Sequence, residues 1–257
     1  MRWSGNITLL FRELPFVERI FAARDAGFDA IEFWWPRSES LDKVAAAVKA
    51  AALPVALINM EAGDLEAGDR GFLNDPARRA DVLNAAATAS EFARDIGCAV
   101  INVPVGKDIG GPRDKQLAQL RTTLGEIAEL TEAEGQRLVL EPLSSVEHPT
   151  YLMCSTRETL DLIGEVGHGI GLLYDTYHMG GIGEDIVEAA KQQPIAHVQL
   201  ADFPGRHQPG TGRLPLIPFL DALAGNGYTG YVGVEYIPVG RTPDSLQWWR
   251  EYKGRGT

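Results

Sequence analysis

Four oxygen-bearing side chains occupy comparable places in the second half of the chain: Glu141 in LVLEP, Asp175 in LLYDTYH, Gln199 in HVQLAD and Glu235 in GVEY. Each closes, or nearly closes, a short apolar run of the kind that forms a buried strand. A carboxylate at such a place is costly unless it is paired or bound to a metal. Four oxygen donors converging on one rim suit a hard or borderline divalent cation such as Mg²⁺ or Mn²⁺. Any one of them alone would read equally well as a helix cap or half of a surface ion pair, but the four together do not.

They converge only if the strands that carry them are parallel neighbours. Short apolar runs alternate with longer helical ones along the whole chain. The expected strands are GNITLLF ending at Phe11, residues 30–35, PVALINM, CAVINVPVG, and residues 137–142, 170–175, 195–202 and 231–236. Between and after them lie expected helices in PFVERIFAARDAGF, LDKVAAAVKAA, and near 76–96, 115–134, 155–166, 184–191, 217–224 and 243–252. Strands alternating with helices imply parallel pairing, and near-continuous apolar strands imply burial on both faces. Eight unbroken pairs in 257 residues predict one domain over 1–257, a single (β/α)8 TIM barrel of the α/β class. An open doubly wound sheet is disfavoured, since no G-x-G-x-x-G follows the first strand. In the barrel, active sites lie at the C-terminal ends of the strands, where the four donors stand.

Charge narrows the partners. Lys and Arg total 24 against 35 Asp and Glu, a net −11. That field repels phosphate polymers, so no nucleic acid is expected. A small anionic substrate would need locally placed cations. No run of about 20 apolar residues predicts a membrane span. The first residues lack the pattern of a secretory leader. The two cysteines, Cys98 and Cys154, match no C-x-x-C pattern and point to a reducing, cytoplasmic setting as bystander thiols. A homo-oligomer is left open.

Longer motifs sharpen this. ELPFVERIFAARDAGFDAIEF, EAGDLEAGDRG, LEPL, YDTYHM, HVQLADFPGRHQPGTG and GYVGVEY together resemble the hydroxypyruvate isomerase branch of the xylose isomerase-like barrels. That group also holds tagatose and psicose epimerases and an apurinic endonuclease. The resemblance implies that Glu141, Asp175, Gln199 and Glu235 are metal ligands and that Glu141 and Glu235 are the acid/base pair. It implies that His178 and Arg206 contact the substrate. The reaction it implies is interconversion of hydroxypyruvate and 2-hydroxy-3-oxopropanoate (tartronate semialdehyde) through a metal-stabilised cis-enediolate. Chemistry supports the pairing: one carboxylate removes a proton beside a carbonyl while another returns one to the neighbouring carbon.

Other positions are candidates by location. Arg206 is the first choice for the substrate carboxylate, because its fork makes two bonds. Lys107, in PVGKD, is the second. Phe11, Trp34 and Trp35 are candidates for the pocket mouth, with only one tryptophan facing inward if the strand alternates. His197 shares a face with Gln199 and reads either as a partner of the site or as a packed barrel histidine. Glu32 reads as a structural acid of the barrel, Trp248 and Trp249 as packing or subunit-contact residues, and EAGDLEAGDRG as a lid-like loop.

The sequence departs from the family pattern twice. Ser144 stands where an Asn usually follows EPL, and Arg213 follows PGTG where an acid is common. Both departures bear on which acid is the substrate, and Arg213 would suit a longer one such as a 2-oxo-tetronate. A sugar or inositol-derivative isomerase or epimerase, and a non-catalytic ligand-binding barrel, are the remaining alternatives.

Overall fold

The computed structural model describes residues 1–254. Its eight strands close into a barrel in chain order. They are β1 (Arg2–Asn6), β2 (Ala30–Phe33), β3 (Val55–Asn59), β4 (Val100–Asn102), β5 (Arg137–Leu140), β6 (Gly171–Asp175), β7 (Ile195–Leu200) and β8 (Tyr231–Val234). Every neighbouring pair is parallel, including β1 with β8. The outer helices are α1 (Phe16–Ala26), α2 (Leu41–Ala51), α3 (Arg79–Asp95), α4 (Arg113–Ala133) and α5 (Thr156–Val166). They continue with α6 (Thr176–Gly181), α7 (Ile186–Gln192), α8 (Leu216–Gly225), α9 (Thr242–Ser245) and α10 (Gln247–Gly254). No described helix is long and apolar enough to cross a membrane.

Local chemistry sets the ends. Gly27, at φ 89, closes α1 with its N–H on the Ala23 and Arg24 carbonyls, the left-handed exit that glycine allows. Ser155 caps α5 by accepting from the Glu158 N–H, and Asp185 caps α7 through the Val187 and Glu188 N–H groups. Trp249 is buried, stacks on Phe28 at 4.5 Å and meets Trp3 edge-on at 6.2 Å. It packs α10 under the barrel floor.

Several boundaries differ from expectation, and three of them bear on the site. β1 stops at Asn6 rather than running to Phe11, because the Asn6 side chain accepts from the Thr8 N–H and its carbonyl accepts from the Leu9 and Leu10 N–H groups. The chain turns there, and Phe11, at φ 57, is buried in the core. β2 stops at Phe33, so alternation no longer governs the two tryptophans that follow. The helix α6, absent from the pattern, begins at Thr176 because Asp175 accepts from the Tyr177 N–H.

The barrel interior is part apolar and part polar. Leu57, Val139 and Leu173 form a small buried cluster of their own. Against it stands Glu32, fully buried. One Glu32 oxygen accepts from Ser4 Oγ at 2.6 Å and lies 2.9 Å from His197 Nε2; the other accepts from Gln199 Nε2 at 2.8 Å. The carboxylate fits because β8 carries Gly233 beside it: a Cβ there would lie 2.3 Å from Glu32 Oε1. Gly233→Ala is therefore expected to destabilise the fold by about 1–3 kcal/mol through overpacking against a bonded carboxylate. Thermal melting followed by circular dichroism checks this, and an unchanged midpoint would refute it.

Candidate active site

Glu141 and Glu235 line one cavity of about 450 Å³ together with His178 and Arg206, while Asp175 and Gln199 are buried outside its lining. Glu141, just past β5, receives Asn102 Nδ2 on Oε2 at 2.9 Å. Its Oε1 lies 3.7 Å from His178 Nε2. Asp175, the last residue of β6, uses Oδ1 to cap α6 and turns Oδ2 toward Arg206 Nη2 at 3.3 Å. Glu235, just past β8, is held by three donors: Arg206 Nη2 at 2.6 Å and Trp34 Nε1 at 3.3 Å on Oε1, and Asn6 Nδ2 at 2.7 Å on Oε2. Gln199, the register partner of Asp175, gives its amide nitrogen to Glu32. Its buried Oε1 has no partner.

The loop after β7 delivers Arg206. Asp202 organises that loop by accepting from the Phe203, Gly210, Gly212 and Leu214 N–H groups, so its carboxylate is spent on the backbone. Arg206 itself sits at φ 55, a left-handed conformation that costs a non-glycine residue on the order of 1–3 kcal/mol. Its carbonyl accepts from the Ile237 N–H at 2.7 Å, which ties the β7 loop to the β8 loop directly over Glu235.

His178 is oriented from behind. The Ser144 N–H donates to His178 Nδ1 at 3.2 Å. With Nδ1 accepting, Nε2 carries the hydrogen and faces Glu141 and Asp175. Only the Ser144 backbone makes this bond, so a serine in that position keeps it intact.

Burial dominates the electrostatics. It pushes Glu141 up to about 8, with Asp175 adding and Arg206 opposing. It pushes Asp175 up to about 6, again against Arg206. Glu235 is held well above its ordinary value by burial, which Arg206 opposes and Glu141 and Asp175 reinforce. Burial, then the Arg206 charge, hold His178 well below its usual value, so its ring is neutral. Burial also works against the Arg206 charge, but Glu235, Asp175 and Glu141 outweigh it and hold Arg206 above its usual value.

Glu141, Asp175 and His178 offer donor atoms within 4.8 Å of one another, a grouping able to hold a metal ion. The protonated Nε2 of His178 has no lone pair to give in this tautomer. Gln199 Oε1 supplies an unclaimed buried oxygen instead, and Glu235 adds a carboxylate. These residues fit a hard divalent cation.

Two candidates from the sequence do not reach the cavity. Phe11 is in the core, with its N–H on Thr242 Oγ1. Lys107 pairs with Tyr151 in an isolated bridge, and its Nζ lies near Gly68 on the rim rather than among the lining residues. Both Trp34 and Trp35 line the wall. Arg213 stacks over Phe203 and is absent from the lining. Sequence reasoning passes over Asn6, Asn102 and Arg70. The first two carried a readable signal, an amide ending an otherwise apolar strand. Arg70 lies in a polar loop and carried none.

Residues 20–252 match the model of the xylose isomerase-like TIM barrel family. The chain is 32% identical to a hydroxypyruvate isomerase of Escherichia coli, covering 98% of this chain and 100% of that one. It is 31% identical to a 2-oxo-tetronate isomerase of Haemophilus influenzae, covering 98% and 99%. A solved structure described as an AP endonuclease, family 2, from Brucella melitensis superposes with a TM-score of 0.93 at 28% identity, covering 98% and 99%.

A carboxyl held above its unfolded value binds its proton more tightly in the folded chain. The stability it lends is complete below the unfolded value and is lost as pH rises through the folded one. That window runs from 4.5 to about 8 for Glu141 and from 3.8 to about 6 for Asp175. The metal-free protein should therefore melt at progressively lower temperature from about pH 5 to about pH 8, and Glu141→Gln should flatten the upper part of that slope. Calorimetric melts of chelator-treated protein across this range measure it, and a wild-type slope retained in the variant would count against the assignment.

Proposed function

The chain belongs to the xylose isomerase-like TIM barrel family and is hydroxypyruvate isomerase-like; from that premise we propose that it interconverts hydroxypyruvate and 2-hydroxy-3-oxopropanoate. The observation that carries this reading is the pair of buried glutamates at one cavity floor with contrasting surroundings. Glu235 has donors on both oxygens, Arg206 among them, and these oppose the burial that otherwise holds its proton. Glu141 has one oxygen bonded by Asn102 and another free of any close donor, and burial favours its proton.

The roles follow. Glu235 takes a proton from C3 of hydroxypyruvate, and the electron pair moves into the C2–C3 bond as the C2 carbonyl opens. Glu141 returns a proton to C2 while the C3 hydroxyl proton passes to the C2 oxygen of the enediolate, so that C3 becomes the aldehyde and C2 the alcohol. His178 Nε2–H donates to a substrate oxygen and stabilises the charge that develops there. Glu141, Asp175, Gln199 and Glu235 would hold a divalent cation, Mg²⁺ or Mn²⁺, which when bound polarises the carbonyl. Glu32 keeps Gln199 turned so that oxygen, not nitrogen, faces that position.

A second reading has support in the size of the cavity. At about 450 Å³ it falls in the range of roughly 300–1,000 Å³ usual for larger ligands, and a three-carbon acid fills only a fraction of it. A four-carbon 2-oxo-tetronate uses the same proton chemistry and more of the space. Turnover of hydroxypyruvate, 2-oxo-tetronates and neutral ketoses, measured side by side, separates the readings.

Glu141→Gln and Glu235→Gln are each expected to lower kcat by roughly 10²–10⁴-fold with unchanged circular dichroism. The two should differ in D₂O. Glu141→Gln still washes deuterium into C3 without forming product, whereas Glu235→Gln does neither. Full activity in both variants would overturn the proposal, and equal wash-in would overturn the division of roles.

Chelation should abolish turnover, and Mg²⁺ or Mn²⁺ should restore it. The Mn²⁺ electron paramagnetic resonance signal reports binding independently of activity. It should weaken in Gln199→Leu, which keeps neither the amide bond to Glu32 nor the donor oxygen.

A further inference from the structure

A substrate carboxylate needs an uncommitted cation. The Arg206 charge is already shared by Glu235 and Asp175 through Nη2, although its buried Nε has no partner. Arg70 differs. It lines the cavity and has no carboxylate within ion-pair distance among the described residues. Its neighbour Asp69 accepts from the Asp64 N–H instead.

Arg70 is also held in place. Its Nη1 donates to the Leu65 carbonyl at 3.0 Å and the Asp69 carbonyl at 2.5 Å. That leaves the Nε–Nη2 edge, the side that grips a carboxylate with two parallel bonds. The next residue, Gly71, lies at φ 90, and a Cβ there would sit 1.9 Å from the Pro104 carbonyl. Its N–H donates to the Ala62 carbonyl. The loop base is thus pinned against the segment after β4, and only glycine fits the pin. Around the guanidinium stand Tyr151, Arg206, Asp69 and Glu141, with His148 close enough to feel its charge.

We propose that Arg70 is the anion-binding residue of the cavity. Its free fork takes the terminal carboxylate of a hydroxy-keto acid and so selects acids over neutral ketoses of similar length. This rests on the proposed isomerase reading but names a different residue for the carboxylate than Arg206, the first choice from the sequence. Two backbone carbonyls hold Nη1, but burial still works against the Arg70 charge, so a bound carboxylate supplies a countercharge rather than displacing one.

The test uses the Mn²⁺-loaded full chain as wild type, Arg70→Met and Arg70→Lys. Glycerate, an unreactive hydroxy acid, is titrated calorimetrically alongside its neutral counterpart glycerol, and KM and kcat are measured for hydroxypyruvate. Arg70→Met should weaken glycerate binding and raise KM on the order of 10- to 100-fold, with kcat changed far less. Glycerol binding and Mn²⁺ affinity should stay at wild-type values, which also shows that the variant is folded. Arg70→Lys, keeping charge without the fork, should fall between. If Arg70→Met binds glycerate as wild type does, or keeps the wild-type KM, the proposal is overturned while the isomerase reading stands. If wild type turns over no acid yet loses glycerate binding on Arg70→Met, the isomerase reading falls and the anion subsite stands. Should Arg70→Met not fold, Arg70→Lys decides: wild-type glycerate affinity there overturns the bidentate grip.

Discussion

Glu32, Glu141, Asp175 and Glu235 are buried inside one barrel, and among the described residues Arg206 is the one guanidinium ion-paired to any of them. Each ion removed from water costs several kcal/mol unless donors or countercharge replace the solvent. The rest of the site is the answer to that cost. Asn6, Trp34 and Arg206 serve Glu235; Asn102 serves Glu141; a helix N-terminus serves Asp175; Ser4, His197 and Gln199 serve Glu32. Even so, acids outnumber the cation, and burial favours the protonated forms of Glu141 and Glu235. A site in that state is poised to exchange protons for a divalent cation, since ligands must be deprotonated to bind it.

The bonds that satisfy these groups also aim them. An amide can present oxygen or nitrogen, and Glu32 settles which one Gln199 shows by claiming the nitrogen. An imidazole can carry its hydrogen on either nitrogen, and the Ser144 N–H settles that for His178 by claiming Nδ1. In each case a residue at the site takes its chemical sense from a bond made on its far side. Gly233 belongs to the same chain of dependence, because without its missing Cβ the Glu32 carboxylate could not reach Gln199.

Much of this was legible in the sequence, and what was not has a physical reason. Alternating strand and helix patterns report burial directly, so the closed parallel barrel and its strand-end donors could be read from residue types alone. Boundaries set by a single side-chain bond could not. Asn6 ends β1 five residues short of Phe11 through its own amide, and so moves Phe11 from the expected pocket mouth into the core. Asp175 starts an extra helix. The early end of β2 frees both Trp34 and Trp35 to face the cavity. Which cation meets an anion also depends on who else claims it, and no spacing shows that Arg206 is engaged by two acids while Arg70 is not.

The two departures from the family pattern can now be weighed by where they act. Position 144 works through its main chain, so Ser144 leaves the His178 tautomer unchanged. Position 213 stacks on Phe203 outside the cavity lining, so Arg213 places no charge beside the substrate. Neither alters the floor formed by Glu141 and Glu235. Differences in substrate among barrels built on this floor must then come from the wall above it, where Trp34, Trp35 and the loop carrying Arg70 set the length and charge of what can enter. The floor is constrained by the cost of burying its acids, since each change there strands a carboxylate. The wall is bound by no such cost beyond the glycine that pins it, so one set of buried carboxylates is compatible with ligands of different lengths.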